Sequence, residues 1–217
     1  MGNDIVDLTD PANIGKSGDC RFLQRVFTTP EQQQIAVAAE PDVLMWALWA
    51  GKETAYKIIR KSRPDVASTP RRYEVTLSPP GPGGASSGYV CTPLGPVAIR
   101  VSFAGDYLHC IGTTPLPDLL GQVIWQVERL YPAWNGTVQD PSIQVRHLLS
   151  LRLAELLRVS PIDIGIRRVE DNHGWGPPIL LLKDKTAPYD LSLTHDGAFA
   201  AYALLPSPYD VFCPDDH

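Results

Sequence analysis

Asp4, Glu53, Lys57 and His195 are the side chains whose types and spacing can do chemistry in this 217-residue chain. Asp4 stands in GNDIVDL behind Gly2, which permits close backbone approach, and a carboxylate there can ligate a hard cation such as Mg²⁺ through oxygen. The same acid also fits a solvated strand end. Glu53 and Lys57 lie one helical turn apart in WAGKETAYK, so a helix returns both to one face. That spacing equally describes a surface ion pair, but Trp46 and Trp49 precede it and set the pair beside apolar surface. A carboxylate for metal next to an amine for phosphate is what cleavage of a pyrophosphate needs. His195, flanked by Ser192 and Thr194 in YDLSLTHDGAFAAYAL, is either a solvated turn residue or a donor to a phosphate oxygen.

The elements that must position these groups follow from pattern. GNDIVDL has the composition of a short strand whose alternation puts Asp4 and Val6 on one face, Ile5 and Asp7 on the other. Thr28-Thr29-Pro30-Glu31 is a capping box that starts a helix near Thr29 and carries it to about Ala39. From Asp42 to about Lys61, Val43, Trp46, Trp49, Tyr56 and Ile59 recur at helical spacing, and Pro64 marks the stop. Strands are expected over 71–77, 88–93, 96–103 and 107–112, interrupted by the Gly/Pro-rich loop 78–88. Helices follow from Leu119 to Leu130 and from Ser142 to Arg158, the second with a stripe of Val145, Leu148, Leu149, Leu153, Leu156 and Leu157. Strands over 162–169, 178–183, 189–194 and 198–204 complete an α+β order in which two similar units, 1–115 and 116–217, each hold strands and long helices.

Composition limits the partners. Nineteen Lys and Arg stand against 24 Asp and Glu, a net charge of −5, so nothing draws the chain to nucleic acid or an anionic membrane, and any anion must be held by a local cluster. No run of about 18 apolar residues is present to span a bilayer, and the acidic N-terminal residues Asp4, Asp7 and Asp10 are unlike a secretion signal. Cys20, Cys91, Cys110 and Cys213 lack CxxC spacing, which reads as reduced thiols in a cytoplasmic protein rather than a zinc site or disulfide framework.

GNDIVDL, then Trp49, Lys52, Glu53 and Lys57, then a strand ending in Ser192-Leu193-Thr194-His195 together resemble the 4′-phosphopantetheinyl transferase superfamily. The resemblance implies two similar α/β halves packed as a pseudo-dimer, with Mg²⁺ held by Asp4 and Glu53. It implies coenzyme A phosphates bound by Lys57, Thr194 and His195, and transfer of the phosphopantetheine arm to a serine of an apo acyl or peptidyl carrier protein of fatty acid, polyketide or peptide synthesis. Two departures stand out. Val6 occupies a position where larger members carry an acid, and Gly176-Pro177-Pro178 lacks the lysine of the family's G-K-P turn, with Arg146, Arg152, Arg167 and Arg168 as candidate substitutes. The stretch from Arg21 to Phe27, with Phe22, Leu23, Arg25 and Val26, resembles the region where small family members meet the carrier, and equally reads as plain core packing. A non-catalytic relative that binds coenzyme A or the carrier, and a metal-dependent phosphoesterase, are the competing classes.

Overall fold

The computed structural model describes residues 1–114, 119–131, 140–171 and 174–206. The chain begins as a strand, β1 (Gly2–Asp7), every residue of which is buried. Three helices follow: α1 (Cys20–Val26), capped by the Asp19 side chain, α2 (Thr29–Val37) and α3 (Pro41–Ser62). The capping box forms as expected, Thr28 Oγ1 accepting from the Glu31 amide at 3.4 Å and Glu31 Oε2 from the Thr28 amide at 2.7 Å. Strands β2 (Glu74–Leu77), β3 (Ala85–Thr92), β4 (Gly95–Phe103) and β5 (Tyr107–Thr113) then join β1 in an antiparallel sheet of order β1-β5-β4-β3-β2. Residues 85–88, expected in the loop, belong to β3, where they pair with β4.

The second half repeats this pattern. Strand β6 (Ile124–Arg129) precedes helix α5 (Pro141–Leu157), and β7 (Ile164–Asp171), β8 (Gly174–Leu182), β9 (Lys185–Asp196) and β10 (Phe199–Pro206) complete a sheet of order β6-β10-β9-β8-β7. Counted within each half, the two sheets have the same strand order, with the long helix after the first strand in both.

The expected helix from Leu119 to Leu130 is overturned. Only one turn, α4 (Leu119–Gln122), is helical, and the rest is β6, which pairs with β10 in register Val127↔Ala201. Ile124 and Val127 are part-buried toward apolar neighbours. The ladder along β10 supplies more hydrogen bonds than an isolated helical turn could keep, so pairing overrides the helical pattern. Leu156, assigned to the apolar stripe of α5, is 40% exposed, whereas Val145, Leu149 and Leu153 are buried as expected.

Each half has its own core, one between α3 and the first sheet, the other between α5 and the second. A third cluster joins them, with Ile5 of β1 against Phe199 and Ala201 of β10. The alternation read from GNDIVDL holds: Val6 faces the α3 core while Ile5 faces the second sheet. Strands β1 and β9 run side by side in the same direction, since the Asn3 amide donates to Ser192 Oγ at 3.0 Å and the Asp7 amide to Asp196 Oδ2 at 2.9 Å.

Candidate active site

The site is built where β1 lies between α3 and β9. Gly2 makes this approach possible: a Cβ there would lie 2.6 Å from the Thr54 carbonyl oxygen of α3, inside any tolerable contact. Two residues on, Asp4 Oδ1 accepts from Lys57 Nζ of α3 at 2.8 Å and from Thr194 Oγ1 of β9 at 3.0 Å. Lys57 also donates to the Asn3 carbonyl at 2.9 Å. Residues nearly two hundred positions apart thus converge on one carboxylate.

Glu53 stands one turn before Lys57 and is half-buried. Its carboxyl is pushed up to about 7, first by burial and then by the Asp4 charge, which Lys57 offsets only in part. Among the described residues it has no hydrogen-bond partner. A carboxylate without a donor, raised by a second carboxylate nearby, is the donor set a hard cation relieves, so Asp4 and Glu53 fit Mg²⁺. Among the described residues no three Asp, Glu, His or Cys side chains gather as a complete metal centre.

Two hollows meet at Glu53. One, of about 350 Å³, is lined by Lys57, Arg60, Lys61, Arg146 and Arg168, with Glu53 its sole acid among the described residues. The other, of about 310 Å³, is lined by Asp4, Phe22, Trp46 and Trp49. Glu53 and His195 belong to both. His195 is exposed near the end of β9, and the turn expected to contain it begins later, at Gly197. Arg168 loses basicity through burial and the nearby charges of Arg146 and Arg60, a crowding of cations that an anion would relieve.

The structure therefore brings together Asp4, Glu53, Lys57, Thr194, His195, Arg146 and Arg168. It does not bring Arg152 or Arg167. Six residues beyond Arg146 on α5, Arg152 is turned about 240° around the helix, where it pairs with Glu155 at the rim of a separate hollow. Arg167 points away beside Asp184 at 3.7 Å, since alternate residues of a strand face opposite sides. Arg60 and Lys61 were not singled out from the sequence, although they follow Glu53 and Lys57 on the same helical face and the 3.6-residue period identifies them. Lys61 is part-buried, its amine less basic through desolvation above all, and donates to the Leu191 and Met1 carbonyls at 2.6 Å each.

Lys52, adjacent to Glu53, has a different task. It is 1% exposed and donates to Glu31 Oε2 at 2.8 Å and to the Tyr73 carbonyl, with its amine over the Phe27 ring. Glu31 Oε1 accepts from the Val75 amide at 2.9 Å. The pair ties α2, α3 and β2 together and fixes the helix that carries Glu53. Around α1, Val26 and Phe27 are core residues, Phe22 and Leu23 are part-buried, and Arg21 and Arg25 are exposed.

Fold and site together define an α+β protein of two antiparallel five-stranded sheets, with paired carboxylates beside a cation-lined cavity. Residues 1–93 match the family model of the 4′-phosphopantetheinyl transferase superfamily. The match includes Asp4, Glu53 and Lys57, while Thr194 and His195 come from outside it. No curated protein matches the chain closely enough to add to that finding. Among the described residues no helix is long and apolar enough to cross a membrane.

Proposed function

We propose that this protein transfers 4′-phosphopantetheine from coenzyme A to a serine of an apo acyl or peptidyl carrier protein, releasing 3′,5′-ADP. The observation that carries the reading is the unpartnered Glu53 carboxylate, raised to about 7 beside Asp4, where a cation-lined cavity meets an aromatic hollow. The cavity suits the nucleotide end of coenzyme A. The hollow suits the incoming serine, because Phe22 on its wall belongs to α1, whose exposed Arg21 and Arg25 can meet an acidic carrier surface.

In the reaction the serine oxygen bonds to the β-phosphorus of the pyrophosphate, and the bond from that phosphorus to the bridging oxygen breaks. The bridging oxygen leaves on 3′,5′-ADP. Lys57 and His195 donate to the phosphate oxygens and stabilise charge on the leaving group. Arg146 and Arg168 stand in for the missing G-K-P lysine. The Glu53 carboxylate accepts the serine proton. Mg²⁺ held by Asp4 and Glu53 would neutralise the pyrophosphate. Thr194 keeps Asp4 oriented through its 3.0 Å hydrogen bond.

The matching strand order of the two sheets supports two halves joined as a pseudo-dimer with a boundary near residue 115, so that one chain completes a site small family members build between subunits. The free thiols of Cys20, Cys91 and Cys110 suit a reducing cytoplasm. Incubation with coenzyme A, Mg²⁺ and an apo carrier should add the phosphopantetheine mass to the carrier. Coenzyme A cleaved without a carrier would instead indicate a phosphoesterase, and binding without either product a non-catalytic relative.

A further inference from the structure

Trp175 lies on the wall of the cation-lined cavity and is 55% exposed. A single exposed aromatic is ordinary on a protein surface, but this one is held in place. Arg168 donates to the Trp175 carbonyl at 3.2 Å and to the Gly176 carbonyl at 2.7 Å, and Pro177 and Pro178 stiffen the strand that follows. Opposite Trp175, strand β7 is irregular between Arg168 and Glu170, a bulge of the kind that re-aims side chains. Among the described residues the indole meets no other ring and no cation. An aromatic face is therefore fixed at the cavity wall and left unstacked.

The cavity's cations are held by different parts of the fold, Lys57 on α3 by the Asp4 carboxylate and Arg168 on β7 by two backbone carbonyls. Lys57 is bound to Asp4 beside Glu53, whereas Arg168 is crowded by Arg146 and Arg60. Coenzyme A carries two separated phosphate centres, the pyrophosphate and the ribose 3′-phosphate, and the two cations suit one each. The adenine is attached to the ribose that bears the 3′-phosphate, so an arginine that holds this phosphate places the base within one sugar's reach. Trp175 is the aromatic whose backbone Arg168 grips. We infer that Trp175 is the platform on which the adenine of coenzyme A stacks, which makes it a specificity-determining residue for the nucleotide half of the substrate.

The inference rests on the transferase reading of this cavity, and binding measurements separate the two. Titration with 3′,5′-ADP should show Trp175→Ala binding about tenfold more weakly than wild type, as loss of a base–aromatic stack predicts. Trp175→Phe should keep most of the affinity. Inorganic pyrophosphate, which has the charge without the base, should bind all three proteins alike, because the substitutions leave in place both Lys57 and the backbone carbonyls that hold Arg168. If wild type binds 3′,5′-ADP and Trp175→Ala binds it equally well, the stacking role is wrong and the transferase reading stands. Equal losses for 3′,5′-ADP and pyrophosphate would make Trp175 a mere support for the arginines and also overturn the inference. Failure of wild type to bind 3′,5′-ADP would sink both readings together.

Discussion

Glu53 feels burial and the Asp4 charge together, and this has a consequence in the metal-free protein. Its folded pKa of about 7 lies above the ordinary 4.5, so the fold favours the protonated carboxyl. The associated stability is fully present below the unfolded pKa and is lost as pH rises through about 7. Glu53→Gln, which cannot ionise, should lose less stability than wild type between about pH 5 and about pH 8, read as urea midpoints without metal. Parallel pH profiles would mean that the carboxyl is not desolvated. In turnover, Glu53→Ala and Asp4→Ala should each lower kcat by at least about 10²-fold, the scale of a lost electrostatic or acid–base group. His195→Ala should instead raise the KM for coenzyme A and leave the magnesium dependence as it was if, as proposed, the imidazole donates to phosphate rather than to metal. A changed magnesium optimum in that variant would assign His195 to the metal.

At the scale of elements, α3 carries both the chemistry and its own support. Lys52 and Glu31 form a buried pair in which each side chain also bonds backbone groups, so removing one member leaves an uncompensated charge. Lys52→Ala should cost about 3–5 kcal/mol in a denaturant titration, whereas Arg25→Ala on the exposed face of α1 should change stability by less than about 0.5 kcal/mol. A cost for Lys52→Ala near that of the surface variant would contradict the supporting role. Gly2 acts between elements in the same way: Gly2→Ala puts a methyl against the Thr54 carbonyl and must push β1 away from α3. The start and course of α2 and α3 were legible because capping residues and helical period are local signals. Strand β6 was not, because IWQVER becomes a strand only when β10 is beside it, and that partner lies more than seventy residues downstream. The task of Lys52 was equally hidden. Its motif position is next to Glu53, yet the helix turns it about 100° away, into contact with Glu31.

For the whole molecule, the decisive feature is that β1 and α3 from one half and β9 from the other meet within a single chain. If catalysis uses that intramolecular meeting, mixing inactive Glu53→Ala with inactive His195→Ala protein should restore no activity while the protein remains monomeric by light scattering. Recovery would show instead that sites form between chains. The sequence by itself determined which residue types were available to the chemistry. Gly2, Asp4, Glu53, Lys57 and the Ser192–His195 strand end were readable because strand alternation and helical spacing are properties of neighbours along the chain. It also determined the α+β character and the family resemblance that the match over residues 1–93 bears out. Tertiary structure alone decided that Thr194 reaches Asp4, that Arg146 and Arg168 join the cavity while Arg152 and Arg167 do not, and that Glu53 is raised toward neutrality. Those outcomes depend on burial and on distances between groups far apart in the chain, and the packing of β1 against β9 where the two sheets meet sets both.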